Sequence, residues 1–114
     1  MNIRVHQGYF RELDQAVAEI AAQQLYPVEM LVPPVSNESH WHSFSTRIYI
    51  LEGELTITDH VLKQAFTAGP GALVEVPQRV LHSEFSAQGY KIIAGMTADP
   101  AGLSGPIDLD PSLL

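Results

Sequence analysis

The sequence has no cysteine and few basic residues, and each shortage excludes a class of function. Without cysteine, the chain of 114 residues cannot form a disulfide, use a thiol nucleophile or bind a metal through thiolates. Any metal ligands must therefore be histidine, carboxylate or water. Six basic residues stand singly against thirteen acidic ones, giving a net charge of −7. Because nucleic-acid binding needs clustered positive charge to neutralise phosphates, we expect no nucleic-acid partner.

Long apolar runs are also missing from the chain. No stretch approaches the ~18 consecutive apolar residues that a membrane-spanning helix needs, and the N-terminus lacks the apolar segment of a secretory signal peptide. We therefore expect a cytoplasmic protein with no membrane partner. The length corresponds to one domain, residues 1–114.

One helical pattern is followed by a series of short strand patterns. Leu13, Ala16, Val17 and Ile20 follow helical spacing and predict an amphipathic helix over residues 9–25, ending before Pro27. Strand-forming runs bounded by turn residues lie at 28–32, 45–51, 54–58, 62–66, 72–76, 80–85 and 90–96.

The short strands predict a mainly β fold, an antiparallel sandwich or barrel with its core at residues 28–96. Glu52-Gly53 lies between two strand patterns and predicts a hairpin turn. The tail at 97–114 is rich in proline, glycine and aspartate, so it either drapes over the barrel or is partly disordered.

His40 and His42 form an H-x-H pair ahead of a strand pattern. Because side chains alternate along an extended segment, both imidazoles should point to one face, where they can chelate one cation. If the strand is unbroken, Thr46 and Ile48 share that face and line the pocket beside the pair.

His82 lies in a strand pattern that has apolar residues on both faces. An imidazole there needs a partner, which is either a metal, a carbonyl or a water. His6, near the N-terminus, and His60, in a turn pattern, are expected to be solvated surface residues.

Other residues near the histidines have more than one interpretation. Glu84 shares a face with His82 and is either an acid or base, a replacement carboxylate ligand or a solvent-facing strand residue. Trp41 should point away from the histidine pair and pack against a sheet or a subunit interface. Met30 and Met96 either fill the core or line the pocket.

The spacing around the histidine pair resembles the first motif of the cupin superfamily. In that motif an H-x-H pair is followed by a glutamate and later by a glycine. His40 and His42 match the pair and Gly53 matches the glycine. Six residues separate that glutamate from the glycine, and Thr46 stands in the place of the glutamate here.

The second cupin motif, G-x5-P-x-G-x2-H-x3-N, is matched by Gly71, Pro77 and His82. Arg79 replaces its second glycine and Ser86 replaces its asparagine. Because a left-handed backbone costs a non-glycine residue about 1 kcal/mol, we expect the turn at Arg79 to have changed shape.

The resemblance implies a cupin jelly-roll β-barrel preceded by one helix, and a homodimer. It also implies that His40, His42 and His82 hold one divalent transition metal, which is iron, manganese, nickel, copper or zinc. The implied function is a metal-dependent enzyme, dioxygenase-like or of a Lewis-acid type such as an isomerase or lyase, acting on a small polar or acidic molecule. The alternative is a barrel, with or without metal, that binds or senses a small molecule without catalysis.

Overall fold

Two antiparallel sheets form most of the computed structural model, which describes residues 2–103 and 107–114. The strands are β1 Arg4–His6, β2 Tyr26–Val32, β3 Val35–Ser36, β4 Thr46–Gly53, β5 Leu55–Asp59, β6 Gln64–Ala68, β7 Leu73–Val76, β8 His82–Ser86 and β9 Tyr90–Met96. The first sheet has the order β1-β7-β4-β9-β2 and the second has the order β3-β8-β5-β6. The helix is α1 Leu13–Ala22, and 3₁₀ turns lie at Pro100–Gly102 and Pro111–Leu113.

The core lies between the two sheets because the strands place apolar side chains on their facing surfaces. Ile50 of β4, Ile57 of β5, Val74 of β7 and Ile92 of β9 are all buried in one cluster. In β4 the residue next to Ile50, Tyr49, points to the opposite face and packs with the helix in a second cluster. The predicted mainly β fold with one helix near the N-terminus is confirmed.

The helix is shorter than the predicted range 9–25. Residues 9–12 lie outside the helix: the backbone N–H groups of Tyr9 and Phe10 donate to the Gly71 carbonyl at 2.8 and 3.1 Å, and Glu12 is extended. Ala16 and Ile20 are buried against the first sheet, whereas Leu13 and Val17 are exposed. The buried stripe is therefore narrower than helical spacing predicted.

The hairpin predicted at Glu52-Gly53 is wrong. β4 belongs to the first sheet and β5 to the second, so the turn carries the chain from one sheet to the other. Gly53 has a φ of +83° and lies against the backbone of Gly89 and Tyr90, where no side chain would fit.

The N-terminal segment and the tail both lie against the barrel. His6 belongs to β1, an unpredicted strand that pairs with β7. In the tail, residues 104–106 lie outside the described residues, and Leu109 pairs with Trp41 in an isolated β-bridge. Residues 107–114 therefore drape over the barrel. No helix among the described residues is long and apolar enough to cross a membrane.

Candidate metal centre

Three histidines from two separate segments come together at one end of the barrel. His40 and His82 exchange two backbone hydrogen bonds of 2.8 Å, and the carbonyl of His42 accepts from the Arg79 N–H at 2.9 Å. One ring nitrogen from each histidine lies within 4.8 Å of those of the other two, so the cluster could hold one metal ion. The side chains are shielded, with exposed fractions of 7% for His40, 14% for His42 and 2% for His82.

The backbone orients all three rings in the same way. Each Nδ1 lies close to a carbonyl oxygen, that of Glu38 for His40 (2.9 Å), of Ile107 for His42 (3.1 Å) and of Val80 for His82 (2.8 Å). A carbonyl can only accept, so each Nδ1 must carry the proton and donate. In a neutral ring the lone pair is then on Nε2, which leaves that nitrogen free to bind a metal.

A polar atom inside the cluster is left without a good partner. Nε2 of His40 is buried and makes no hydrogen bond of good geometry, although Oε1 of Glu84 lies 3.3 Å away. Buried polar atoms in folded proteins nearly always have a partner. An unpaired nitrogen that faces two other imidazoles is therefore what a cation site would leave, and the donor set fits a divalent transition metal.

Glu84 lies inside the site and is not solvent-facing. Its side chain is 18% exposed, and Oε1 also lies 3.9 Å from Nε2 of His82. Oε2 accepts a hydrogen bond of 3.1 Å from the hydroxyl of Tyr90. Glu84 faces the site because side chains alternate along the strand, which predicted a shared face with His82. It is buried because the barrel surrounds that face.

The charges of the site act on each other. Burial raises the pKa of Glu84, but His40, His82 and Tyr90 outweigh burial and hold it below its ordinary value. Burial likewise lowers the pKa of His40, but Glu84, the Glu38 carbonyl and Asp108 outweigh burial and raise it above its ordinary value. For His82, burial is the largest effect and lowers the pKa. Glu84 thus stabilises a positive charge on His40, and a bound cation could take the place of that charge.

A cavity of about 320 Å³ adjoins the histidines. Its wall is mainly aliphatic and comes from β2, β4 and β9, with Met30, Thr46, Ile48 and Met96 among the lining residues. Thr46 and Ile48 line the same cavity as His42, although a bend at residues 43–44 interrupts the strand that the prediction had assumed to be unbroken. A groove of about 510 Å³ at the turns around Gly53 and Gly89 is larger, but no histidine or acid–base cluster lines it.

The polar part of the cavity wall consists of His42, Asn37, Glu84, Tyr90 and Asp108, in addition to Thr46. None of the described lining residues is lysine or arginine. The cavity therefore combines an apolar body with one polar, acidic end at the histidines. Such a wall suits a small molecule with an apolar part and one polar group.

The tail supplies part of this wall. Ile107 and Asp108 line the cavity, and the Asp108 carboxylate lies 3.8 Å from Nε2 of His40 and 3.7 Å from Nδ1 of His42. Asn37, Tyr90 and Asp108 were not predicted as site residues. No local pattern could identify them, because each reaches the site only through the fold.

The turn before His82 has a left-handed backbone at Arg79, so the change of shape expected there is absent. Arg79 has a φ of +65°, and its guanidinium lies 5.3 Å from the centre of the Trp41 ring. Trp41 is buried and its indole N–H donates to the Asp110 carbonyl at 2.9 Å, so it packs beneath the tail. The cation–π contact helps to offset the strain at Arg79.

No protein-family model and no curated sequence matches the chain, whereas solved structures do. A DUF861 family protein from Thermotoga maritima superposes with a TM-score of 0.57 at 13% identity, over 81% of this chain and 96% of that one. A cupin superfamily protein from Desulfitobacterium hafniense has a TM-score of 0.50 at 18% identity, over 65% and 78%. HppE, solved with cobalt(II) and Tris buffer, has a TM-score of 0.51 at 20% identity, over 67% of this chain and 47% of that one.

Proposed function

Since the chain has the fold of the cupin superfamily, we propose that it is a metal-dependent enzyme acting on a small molecule bound in the cavity beside the three histidines. The observation that carries this proposal is the hydrogen bond that the three imidazoles have in common. Each donates Nδ1–H to a backbone carbonyl and so leaves Nε2 free for an ion. A solved protein of similar fold contains cobalt(II), which agrees with this assignment.

The ion would be held by His40, His42 and His82 and is iron, manganese, nickel, copper or zinc, since neutral imidazole binds all of these. When bound, such an ion supplies Lewis acidity or, if it is redox-active, the activation of O₂. The chain's own residues bind and orient the substrate. The aliphatic wall binds the apolar part of the substrate and excludes water, while Asn37 and the acidic end orient its polar group.

The charge of the cavity narrows the class of substrate. Glu84 and Asp108 are both acidic, and the described wall has no lysine or arginine. A polar, uncharged head group therefore fits better than a multiply charged acid, for which the bound ion would be the one source of compensating charge.

The first test is the metal content of protein purified without an affinity tag. We expect about one ion per chain in the wild type and almost none in His42→Ala, which removes the most accessible of the three rings. His60→Ala is the matched control, because His60 is a surface histidine whose Nε2 contacts Ser83 Oγ. A wild type that is purified without metal and binds none of the five ions on titration would overturn the proposal.

The second test separates an enzyme from a binding protein. The metal-loaded protein would be screened for turnover of small polar molecules, with and without O₂, and again after chelation. We expect turnover that stops on chelation and returns with one ion. Saturable binding without any turnover would instead support the non-catalytic alternative, a barrel that binds or senses its ligand.

A further inference from the structure

We infer that Glu84 is a fourth metal ligand, so that the carboxylate missing from β4 is supplied by β8. This inference rests on the proposed metal site. In the motif that the chain resembles, the glutamate position is on the strand that follows the H-x-H pair, where this chain has Thr46. Glu84 reaches the same cavity from the other sheet, two residues after His82.

The distance from Glu84 to His40 is that of neighbouring ligands around one ion. Atoms bound about 2.1 Å from the same ion, at angles between about 90 and 110°, lie about 3.0 to 3.4 Å apart. Oε1 of Glu84 lies 3.3 Å from Nε2 of His40 and 3.9 Å from Nε2 of His82. The first distance lies in that range and the second exceeds it. The group of ligand atoms within 4.8 Å of one another comprises the three histidines without Glu84, so the carboxylate must move further into the cluster to coordinate.

The carboxylate is held so that one oxygen faces the histidines. Its other oxygen, Oε2, accepts from the Tyr90 hydroxyl at 3.1 Å, and Tyr90 is itself buried. The backbone of Glu84 is fixed by its N–H, which donates to Oδ1 of Asn37 at 2.6 Å. Oε1 is thus left to the cluster, next to the His40 nitrogen that has no hydrogen bond of good geometry.

Asp108 is the other carboxylate near the histidines, and it fits the role less well. It lies 3.8 Å from His40 Nε2, and its side chain is 60% exposed on the tail. Glu84 is 18% exposed and belongs to a strand paired with β5. A ligand on a strand is held more rigidly than one on a tail, which favours Glu84.

Coordination by Glu84 changes the net charge of the site and the metal ions that it prefers. Three neutral imidazoles leave a divalent ion with its full charge, whereas one carboxylate reduces the charge of the site by one. A hard oxygen ligand also favours manganese(II) and iron(II) relative to a site made of imidazole alone. The substrate would then meet a mixed nitrogen and oxygen site with open positions facing the cavity.

The test is titration of metal-free protein with cobalt(II), whose visible spectrum reports ligand number and type. Glu84→Gln keeps the side-chain shape but removes the charge, and Asp108→Asn is the matched control. We expect the cobalt dissociation constant to rise at least about 100-fold in Glu84→Gln, with a changed visible spectrum. In Asp108→Asn, which removes a nearby charge but no ligand, it should rise by no more than about tenfold with an unchanged spectrum. Removing a group that only hydrogen-bonds to a metal ligand typically weakens metal binding by roughly 10–100-fold. A loss of 100-fold or more therefore indicates that Glu84 is itself a ligand.

Wild-type affinity and spectrum in Glu84→Gln would overturn the inference while leaving the three-histidine site in place, provided that His42→Ala still loses the ion. No cobalt binding by the wild type would overturn the inference and the proposed function together. If Glu84→Gln fails to fold by far-UV circular dichroism, Tyr90→Phe replaces it. This variant removes only the hydroxyl that holds Oε2, and we expect about tenfold weaker cobalt binding; unchanged binding would overturn the inference.

Discussion

Arg79 combines a strained backbone with a favourable side-chain contact. Its left-handed conformation costs roughly 1 kcal/mol, and its guanidinium lies over the ring of Trp41. We expect Arg79→Ala to lower the free energy of unfolding by about 0.5–1 kcal/mol, because the strain stays and the contact is lost. Arg79→Gly should be within about 0.5 kcal/mol of wild type, because relief of strain offsets both that loss and the greater freedom of glycine in the unfolded chain. Urea unfolding of both variants measures this difference, and equal losses would contradict it.

Asp59 shows how one buried carboxylate can hold two segments of the chain. It has no exposed surface, and it accepts backbone hydrogen bonds from Ile3 (3.2 Å), Val61 (2.9 Å) and Leu62 (2.9 Å). Asp59→Ala would leave these donors without a partner, so we expect the free energy of unfolding to fall by about 3 kcal/mol.

The control for Asp59 is Asp99→Ala, which also removes a carboxylate that accepts from a backbone N–H, but at an exposed position. Because water can replace that hydrogen bond, the loss should stay below about 1 kcal/mol. Urea unfolding of the two variants would be compared, and a similar small loss in both would contradict the structural role of Asp59.

At the scale of elements, a polar network joins the helix to the first sheet. Oε1 of Glu19 on α1 accepts from the hydroxyl of Tyr49 on β4 at 2.8 Å and lies 3.3 Å from Arg47, which also pairs with Glu75 on β7 at 2.7 Å. Burial, with the Glu19 contact, raises the pKa of Tyr49 to about 12 even though Arg47 opposes the shift.

The raised pKa of Tyr49 predicts a loss of stability in alkali. The folded chain keeps the phenol protonated above its ordinary pKa of 10, whereas the unfolded chain releases the proton there. The unfolded state then binds fewer protons, so the free energy of unfolding should fall as the pH rises from 10 towards 12. The pKa of Tyr90 is also raised, first by burial and then by Glu84, and adds to the effect.

Urea unfolding at a series of pH values, with absorbance of the phenolate as a second measure, checks this prediction. In Tyr49→Phe the decline should be shallower, because only Tyr90 and the more exposed Tyr9, whose pKa values are also raised, then contribute. A variant that declines as steeply as the wild type would show that Tyr49 is not the source.

At the scale of the whole molecule, the tail closes one side of the site. Residues 107–114 are mostly exposed, yet they cover Trp41 and contribute Ile107 and Asp108 to the cavity wall. Removing these residues should expose Trp41 and shift its fluorescence to longer wavelength. The tail adds few hydrogen bonds and no fully buried side chain, so unfolding should become easier by only about 1–2 kcal/mol.

The matched control removes residues 111–114 alone, which keeps Leu109 and the Asp110 carbonyl that accepts from Trp41. Its fluorescence should match the wild type. A metal-loaded protein without 107–114 should also release the ion to a chelator faster than this control. Equal rates would show that the tail does not limit access to the site.

The homodimer expected from the sequence stays a prediction. β2 is an edge strand of the first sheet, and Leu31 on it is 81% exposed. Such an edge can pair with another strand, and sedimentation at increasing concentration would decide whether it does.

The sequence by itself determined what depends on neighbours along the chain. The absence of cysteine limited the metal ligands, and helical spacing located α1. Alternation placed His40 with His42, and His82 with Glu84, on common faces. These patterns are local, because the period of a helix or strand follows from backbone geometry alone.

Only the tertiary structure decided which faces meet. The fold places the carboxylate of Glu84 beside His40, Tyr90 beside Glu84 and the tail over Trp41. It also makes Gly53 the connection between two sheets, where a hairpin was predicted. In each case the partners are separated along the chain or lie on different strands. Their distance is set by how the two sheets pack, and no local period encodes that packing.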